Sequence, residues 1–377
     1  MLDQLTAKWH QHFGSSSPEV TVRAPGRVNI IGEHTDYNEG WVMPGAMSLS
    51  VYILIAKNNK NEHHWVADNF DDEYRGNFTN DAEIPIWTKY VQGALKIYDT
   101  GDTTFDILIG GDLPVGAGVS SSSSLICGLL YGFQKIFNTD EARETIALLA
   151  SRVEREIIGL QIGLMDQFAI MLSEEKQVMM LDCRTRTYQF HPAKLKGAKW
   201  VLINTMVKHQ LIDSDYNARA SECREAVALI QQMFPVVRSL RDATIKVLFE
   251  SKLPSLLMKR SVYVIEENKR VHDMSAALKQ QNAVKAGQLL NQSHQGLRDD
   301  YEVSCAELDH LAEFAAAYKC VYGARMMGGG FGGCVLCLVK EDTMEQFLID
   351  AKKSYHTTFG YNPGVIHFEL ANGVEII

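Results

Sequence analysis

The sequence predicts a soluble protein of mixed strands and helices divided into two domains, and three observations carry that prediction. The chain has 377 residues, more than one ordinary hydrophobic core accommodates, so two domains are expected. Strand-like and helix-like apolar runs alternate in the first half, most plainly where residues 105–109 lead through a glycine- and serine-rich loop into the apolar stretch 125–137. Beyond residues 180–205 the pattern turns mostly helical, which puts the boundary between the two domains in that region.

Composition narrows the class. With 46% hydrophobic and 22% charged residues the chain reads as globular. A net charge of −9 argues against nucleic acid as the partner, because phosphate backbones attract basic surfaces. Seven scattered cysteines do not resemble a disulfide framework and fit a reducing cytoplasm. No apolar run approaches a membrane span and no signal-like segment opens the chain, so a cytoplasmic protein without a membrane partner is expected.

In order, Leu2, Leu5, Trp9 and Phe13 fall on one face of a short amphipathic helix. A turn at 14–18 precedes a strand from Val20. That strand runs through Val28-Asn29-Ile30-Ile31 into Gly32-Glu33-His34-Thr35-Asp36-Tyr37, delivering Glu, His and Asp at its end. Carboxylates and imidazole exchange hydrogen bonds with vicinal hydroxyls, which fits a wall for a polyol or sugar; a polar surface turn fits the same residues. Adjacent loop residues seldom give tetrahedral geometry and no HExxH spacing occurs, which argues against zinc at His34. Strands follow at 47–57 and 64–67. Residues 86–98 have a helical period that puts Trp87 and Tyr90 on one face, as core or as a clamp for a nucleobase.

The segment 111–125 lies where strand becomes helix. Gly116 and Gly118 remove side chains that would hold a polyanion off the backbone. The helix start adds unpaired N–H groups and about half a positive charge, and Ser120 to Ser124 offer hydroxyls for capping, phosphate oxygens or a metal. A flexible linker is the competing reading, but linkers are rarely clamped between two apolar segments.

Residues 141–158 read as an amphipathic helix broken by glycines, and 164–172 as an apolar helix opened by Met165-Asp166-Gln167. An acid there already has a role at the helix dipole, worth about 0.3–1 kcal/mol, so position alone makes Asp166 a weak candidate base. Strands are expected at 178–182, 188–191 and 200–204, then helices at 215–233, 257–278, 283–290 and 306–318. The late cluster 323–334 matches GxGxxG on paper through Gly328, Gly330 and Gly333. An apolar strand follows it rather than a helix, so a dinucleotide fold is excluded and close approach of two backbones beside a ligand is expected. Cys334 and Cys337 alternate faces of that strand without a second pair and read as core thiols.

A phosphate cradle, a carboxylate-rich wall and a glycine backstop together indicate ATP-dependent phosphorylation of a polar small molecule. There is no GxxxxGK[ST] and no HRD or DFG set, which excludes P-loop enzymes and protein kinases.

Separated segments then carry a resemblance: Arg27 through Tyr37, Leu113 to Leu125, Gly163-Leu164-Met165-Asp166-Gln167-Phe168, Asn204 through Lys208-His209 to Tyr216, Ser293-His294 with Leu297 to Tyr301, and Gly323 to Gly333. On these the sequence resembles the GHMP kinases, and within them the galactokinase family, along nearly its whole length. The resemblance implies an α+β, two-domain GHMP kinase fold, with an N-terminal domain over 1–190, a C-terminal domain over 191–377 and the active site in the inter-domain cleft. It implies transfer of the ATP γ-phosphoryl to the anomeric 1-hydroxyl of α-D-galactose, with no obligate protein partner. Asp166 would accept the proton and Arg27 would hold Asp166 ionised. Glu33, His34, Thr35, Asp36, Gly163 and Tyr216 would bind the sugar. Gly116, Ala117, Gly118, Val119, Ser120, Ser121 and Ser122 would wrap the triphosphate, Trp87 and Tyr90 would flank adenine, and Ser122 and Glu154 would hold Mg²⁺. The sequence departs from the family pattern at Ser123, Ile126, Met327 and the run Gly45 to Ser48, departures expected to bear on sugar choice. A related sugar-1-kinase acting on N-acetylgalactosamine or arabinose, and a non-catalytic sugar sensor, are the rival readings.

Overall fold

The computed structural model describes residues 1–58, 60–77, 84–98, 100–159, 161–207 and 212–377. Its largest sheet orders the strands Glu375–Ile376, Val20–Asn29, Pro44–Asn58, Thr104–Gly111, His63–Ala67 and Asp72–Gly76, with Leu370–Ala371 also paired to Pro44–Asn58. All neighbours are antiparallel except His63–Ala67 against Thr104–Gly111.

The inner strands are rich in Val, Ile and Leu because both faces are covered. On one face Ile53, Ile55 and Ile107 pack against Leu129 and Phe133 of helix Ser121–Phe137 and Val91 and Leu95 of helix Ile86–Ile97. On the other, Leu5 and Trp9 of helix Leu2–Phe13 meet Leu54, Val66 and Leu108. Asp72–Gly76 was not expected as a strand; it lies at the sheet edge, where charged side chains face solvent and blunt the apolar alternation.

A second antiparallel sheet orders Val321–Met327, Cys334–Lys340, Ala198–Asn204 and Gly364–Ile366. Its middle strand puts Cys334 and Cys337 into two different cores, as thiols on opposite faces should be. A three-stranded sheet joins Trp41–Val42, Gln177–Asp182 and Tyr188–Pro192. One core unites the halves: Val28, Ile30, Ile31 and Leu113 pack with Leu202, Met274, Leu290 and Leu336. Across the same seam the fully buried Arg325 donates to the carbonyls of Asn29 and Ile30.

The chain crosses back over the expected division at residue 190 once. Residues 370–371 and 375–376 return to the first sheet, where Arg23 Nε meets Glu375 Oε1 at 2.7 Å and Arg143 Nη1 donates to the Val374 carbonyl at 2.8 Å. Two-residue strands carry too little periodicity for this return to be read from sequence. Among the described residues no helix is long and apolar enough to cross a membrane.

Candidate active site

Strand Val20–Asn29 carries Arg27 to the floor of a cleft of about 290 Å³. Arg27 is buried and grips Asp166 with two donors, Nε to Oδ1 at 2.8 Å and Nη2 to Oδ2 at 3.2 Å, while Nη1 reaches the Gly118 carbonyl at 2.5 Å. The fork geometry of guanidinium fixes the plane of the carboxylate as well as its charge. Asp166 opens helix Met165–Leu172, and the Ser120 hydroxyl donates to its Oδ2. Its side chain remains about 25% exposed, so the carboxylate faces the cleft rather than being sealed beneath it.

The wall follows from the turn after that strand. Glu33 is buried, and its Oε1 accepts from Arg325 Nη2 at 3.0 Å and from the Gly328 amide at 2.9 Å, which ties the first half of the chain to the late glycine cluster. His34 takes a left-handed backbone at φ 60° and contacts the Gly329 carbonyl through Nε2 at 3.2 Å. The Tyr216 ring lies 5.3 Å from its imidazole. Asp36 sits against Gly163: a Cβ at Gly163 would lie 2.2 Å from Asp36 Oδ2, so only glycine leaves room for that carboxylate. Thr35 departs from expectation. Its hydroxyl is committed to the carbonyls of Gly32 at 2.9 Å and Trp41 at 2.7 Å, so it shapes the turn instead of facing the cleft.

Burial sets the charges. It pushes the Asp36 carboxyl up to about 7, with the like charge of Asp166 adding to the effect. It pushes the His34 imidazole down to about 3, so His34 is neutral at physiological pH.

The glycine- and serine-rich loop forms the facing wall. Gly116 and Gly118 both have positive φ, and a Cβ on Gly328 would come within 3.2 Å of the Gly118 carbonyl, which is the close approach of two backbones expected of the late cluster. Gly116, Val119 and Ser120 to Ser122 line the cleft, whereas Ala117 is buried in the shared core. Ser121 and Ser122 also line an adjoining apolar pocket of about 140 Å³ walled by Trp87, Tyr90, Phe70 and Leu125. Trp87 holds its place through Nε1 to Asp72 Oδ2 at 2.8 Å.

Glu154 opens a π-helical turn, Glu154–Ile158, at the end of helix Arg143–Val153, where a continuous α-helix was expected. Such turns reset the direction of a side chain. The carboxylate is buried and pushed up to about 7 by that burial, and the Ser122 hydroxyl bonds it. Two further partners were not anticipated. Ser123 donates to both oxygens, and Gln167 donates through Nε2. Ser123 stood out only as a departure in the serine run, and Gln167 only as the neighbour of Asp166.

The departures lie elsewhere than expected. Ile126 and Met327 are buried in apolar cores, Ser48 accepts from the Glu369 amide at the surface, and Ser123 serves Glu154. None of them lines the cleft. Lys208 and His209 lie outside the described residues.

Residues 7–57 match the galactokinase galactose-binding signature, residues 89–174 the GHMP kinases N terminal domain, and residues 274–356 the GHMP kinases C terminal model. A galactokinase of Staphylococcus carnosus is 36% identical over 390 residues, covering 100% of both chains. One of Exiguobacterium sibiricum is 39% identical over 376 residues, covering 96% of this chain and 95% of its own. The crystal structure of Lactococcus lactis galactokinase complexed with galactose superposes with a TM-score of 0.94 at 33% identity, covering 99% of each chain. Full-length relatives at 36% and 39% identity, together with an α+β GHMP kinase fold whose cleft holds the Arg27–Asp166 pair, show that the chain belongs to the galactokinase family of the GHMP kinases.

Proposed function

We propose that the protein transfers the γ-phosphoryl group of ATP to the anomeric 1-hydroxyl of α-D-galactose, giving galactose 1-phosphate and ADP. One observation carries the reading: Asp166, gripped by Arg27 at 2.8 and 3.2 Å, stands in a single cleft shared by the Glu33, His34 and Asp36 wall and the Gly116 to Ser122 loop. The galactose-binding signature over the wall supports galactose as the sugar.

In this reading Asp36, His34, Glu33 and Tyr216 orient the sugar so that its 1-hydroxyl meets Asp166. The bond from O1 to the γ-phosphorus forms, the bond from that phosphorus to the bridging oxygen of ADP breaks, and the hydroxyl proton passes to Asp166. Arg27 fixes the plane of the Asp166 carboxylate at the cleft and offsets negative charge at the reacting centre. Phosphoryl transfer has a loose transition state, so orientation and charge neutralisation contribute more than the strength of the base. The loop amides and the start of helix Ser121–Phe137 hold the triphosphate, and the Trp87 and Tyr90 pocket receives the adenine.

The residues also fit Mg²⁺. Glu154 offers a buried carboxylate beside the Ser122 and Ser123 hydroxyls, and Gln167 Oε1 is a buried acceptor without a partner among the described residues. These are the hard oxygen donors Mg²⁺ prefers. Bound there, the ion neutralises phosphate charge; Ser122 and Glu154 would hold it, with Ser123 and Gln167 orienting Glu154.

An ADP-release assay over a panel of sugars tests the proposal, with Asp166→Ala as the control. Galactose turnover well above that variant is expected. Turnover confined to another sugar would overturn the choice of galactose, and no sugar-dependent ADP release would overturn the kinase reading.

A further inference from the structure

Behind the wall, His34 belongs to a closed ring of hydrogen bonds whose members come from three parts of the chain. Its Nδ1 lies 2.7 Å from the Tyr37 hydroxyl, which lies 2.8 Å from the Tyr301 hydroxyl. Tyr301 lies 3.1 Å from Cys223 Sγ. Asn38 Nδ2 donates to that sulfur at 3.6 Å and also to the His34 carbonyl at 2.9 Å. The ring therefore leaves His34 from its imidazole and returns to its backbone.

One contact outside the ring fixes the direction of every proton within it. The Gly329 carbonyl, 3.2 Å from His34 Nε2, can only accept, so Nε2 carries the proton. Burial keeps the imidazole neutral, so Nδ1 is bare and accepts from Tyr37. With its one proton given away, Tyr37 accepts from Tyr301, and Tyr301 accepts from the Cys223 thiol. Burial pushes that thiol up to about 11, which keeps its proton in place. Cys223 in turn takes an Asn38 N–H on its lone pair. Every donor meets an acceptor, the condition under which a buried polar network rigidifies what it touches.

The backbone of His34 requires such support. Its φ of 60° is uncommon for a residue with a side chain and persists where surrounding contacts enforce it. Asn38 secures the carbonyl on one side of that conformation and Tyr37 secures the ring on the other.

We infer that Cys223, Tyr301, Tyr37 and Asn38 are positioning residues that hold His34 as its Nε2–H tautomer at the cleft, and that through it they set the affinity for the sugar and not for the nucleotide. The kinetic half of this inference rests on the wall being the sugar site. The 3.2 Å contact to Gly329 is long enough for the Nε2 proton to be shared with an incoming hydroxyl oxygen.

The test has two arms. Nitrogen-15 NMR of the histidine-labelled full chain, with His34 assigned by its loss in His34→Asn, reads the tautomer directly. A bare Nδ1 and a protonated Nε2 are expected, with both signals moving on addition of galactose, and with the single tautomer lost in Tyr37→Phe. In the kinetic arm, Tyr301→Phe and Cys223→Ala should raise the KM for galactose by about three- to tenfold, the scale of one neutral hydrogen bond. The KM for ATP should stay within about twofold, and Cys223→Ser, which restores a donor, should return the galactose KM close to its original value. A protonated Nδ1 in the unmodified protein would overturn the ring. Parallel rises in both KM values, or Cys223→Ser behaving like Cys223→Ala, would overturn the positioning role. A correct tautomer whose signals ignore galactose would instead overturn the sugar assignment of the wall while leaving the ring intact.

Discussion

Ser123 donates its hydroxyl to both carboxylate oxygens of Glu154, at 3.0 and 3.1 Å, in a position where both residues are buried. The proton of one side chain is thus shared across the whole carboxylate of the other, which aligns that carboxylate with the start of helix Ser121–Phe137. Hydrogen bonds to charged groups contribute more than neutral ones. Ser123→Ala should therefore lower stability at pH 8 by about 1–3 kcal/mol in urea unfolding. It should also raise the Mg²⁺ concentration needed for half-maximal turnover, while the galactose KM stays near its original value.

Replacing Asp166 by Asn keeps the shape and removes the charge and the proposed proton acceptor. We expect kcat to fall by about 10²–10⁴-fold with a much smaller change in the KM for galactose. Arg27→Lys keeps the charge but loses the two-donor grip, and kcat should fall on the order of 10²-fold. Steady-state kinetics with both substrates checks each.

The pH dependence of stability has a definite sign. Asp36 and Glu154 are raised from 3.8 and 4.5 to about 7, so between about pH 4 and 7 the folded chain holds protons that the unfolded chain releases. Their contribution then falls as pH rises through that window and is lowest above 7. Asp36→Asn and Glu154→Gln should flatten the fall when unfolding is followed across pH without ligands. Saturating Mg²⁺ should flatten it in the unmodified protein but no further in Glu154→Gln.

A methyl group at Gly163 would come within 2.2 Å of Asp36 Oδ2. Gly163→Ala should displace that carboxylate and lower kcat/KM for galactose by about 10²-fold, the scale of an ångström's misplacement. The KM for ATP, read in the same assay, should change little.

Much of this site was legible because its chemistry is written in contiguous segments. Glu33, His34 and Asp36 arrive together at a strand end, and the serine run sits at one strand-to-helix junction. What stayed hidden is pairing across the chain. Nothing near Asp166 in sequence announces Arg27, 139 residues away, and only the family resemblance paired the two. Thr35 has the polarity of its neighbours, and only the turn geometry shows that its hydroxyl serves Gly32 and Trp41. Ser123, Ile126 and Met327 looked like one group of departures near the ligands, yet the fold sends one to Glu154 and the others into apolar cores. In the fold itself long apolar runs were readable, whereas the edge strand Asp72–Gly76 and the two-residue strands near residue 370 lack the length for a period to register.

The return of residues 375–376 to strand Val20–Asn29 has a consequence for biosynthesis. Arg23 and Glu375, joined at 2.7 Å, are separated by 352 residues. The sheet that carries Arg27 stays open at that edge while the ribosome makes the residues between them, and contacts of such separation form late because the loop between them must be closed first. A nascent chain halted before Glu375 would hold most of the phosphoryl-transfer machinery on a sheet still missing its outermost strand, exposed to pairing with other chains until residues 375–376 are made.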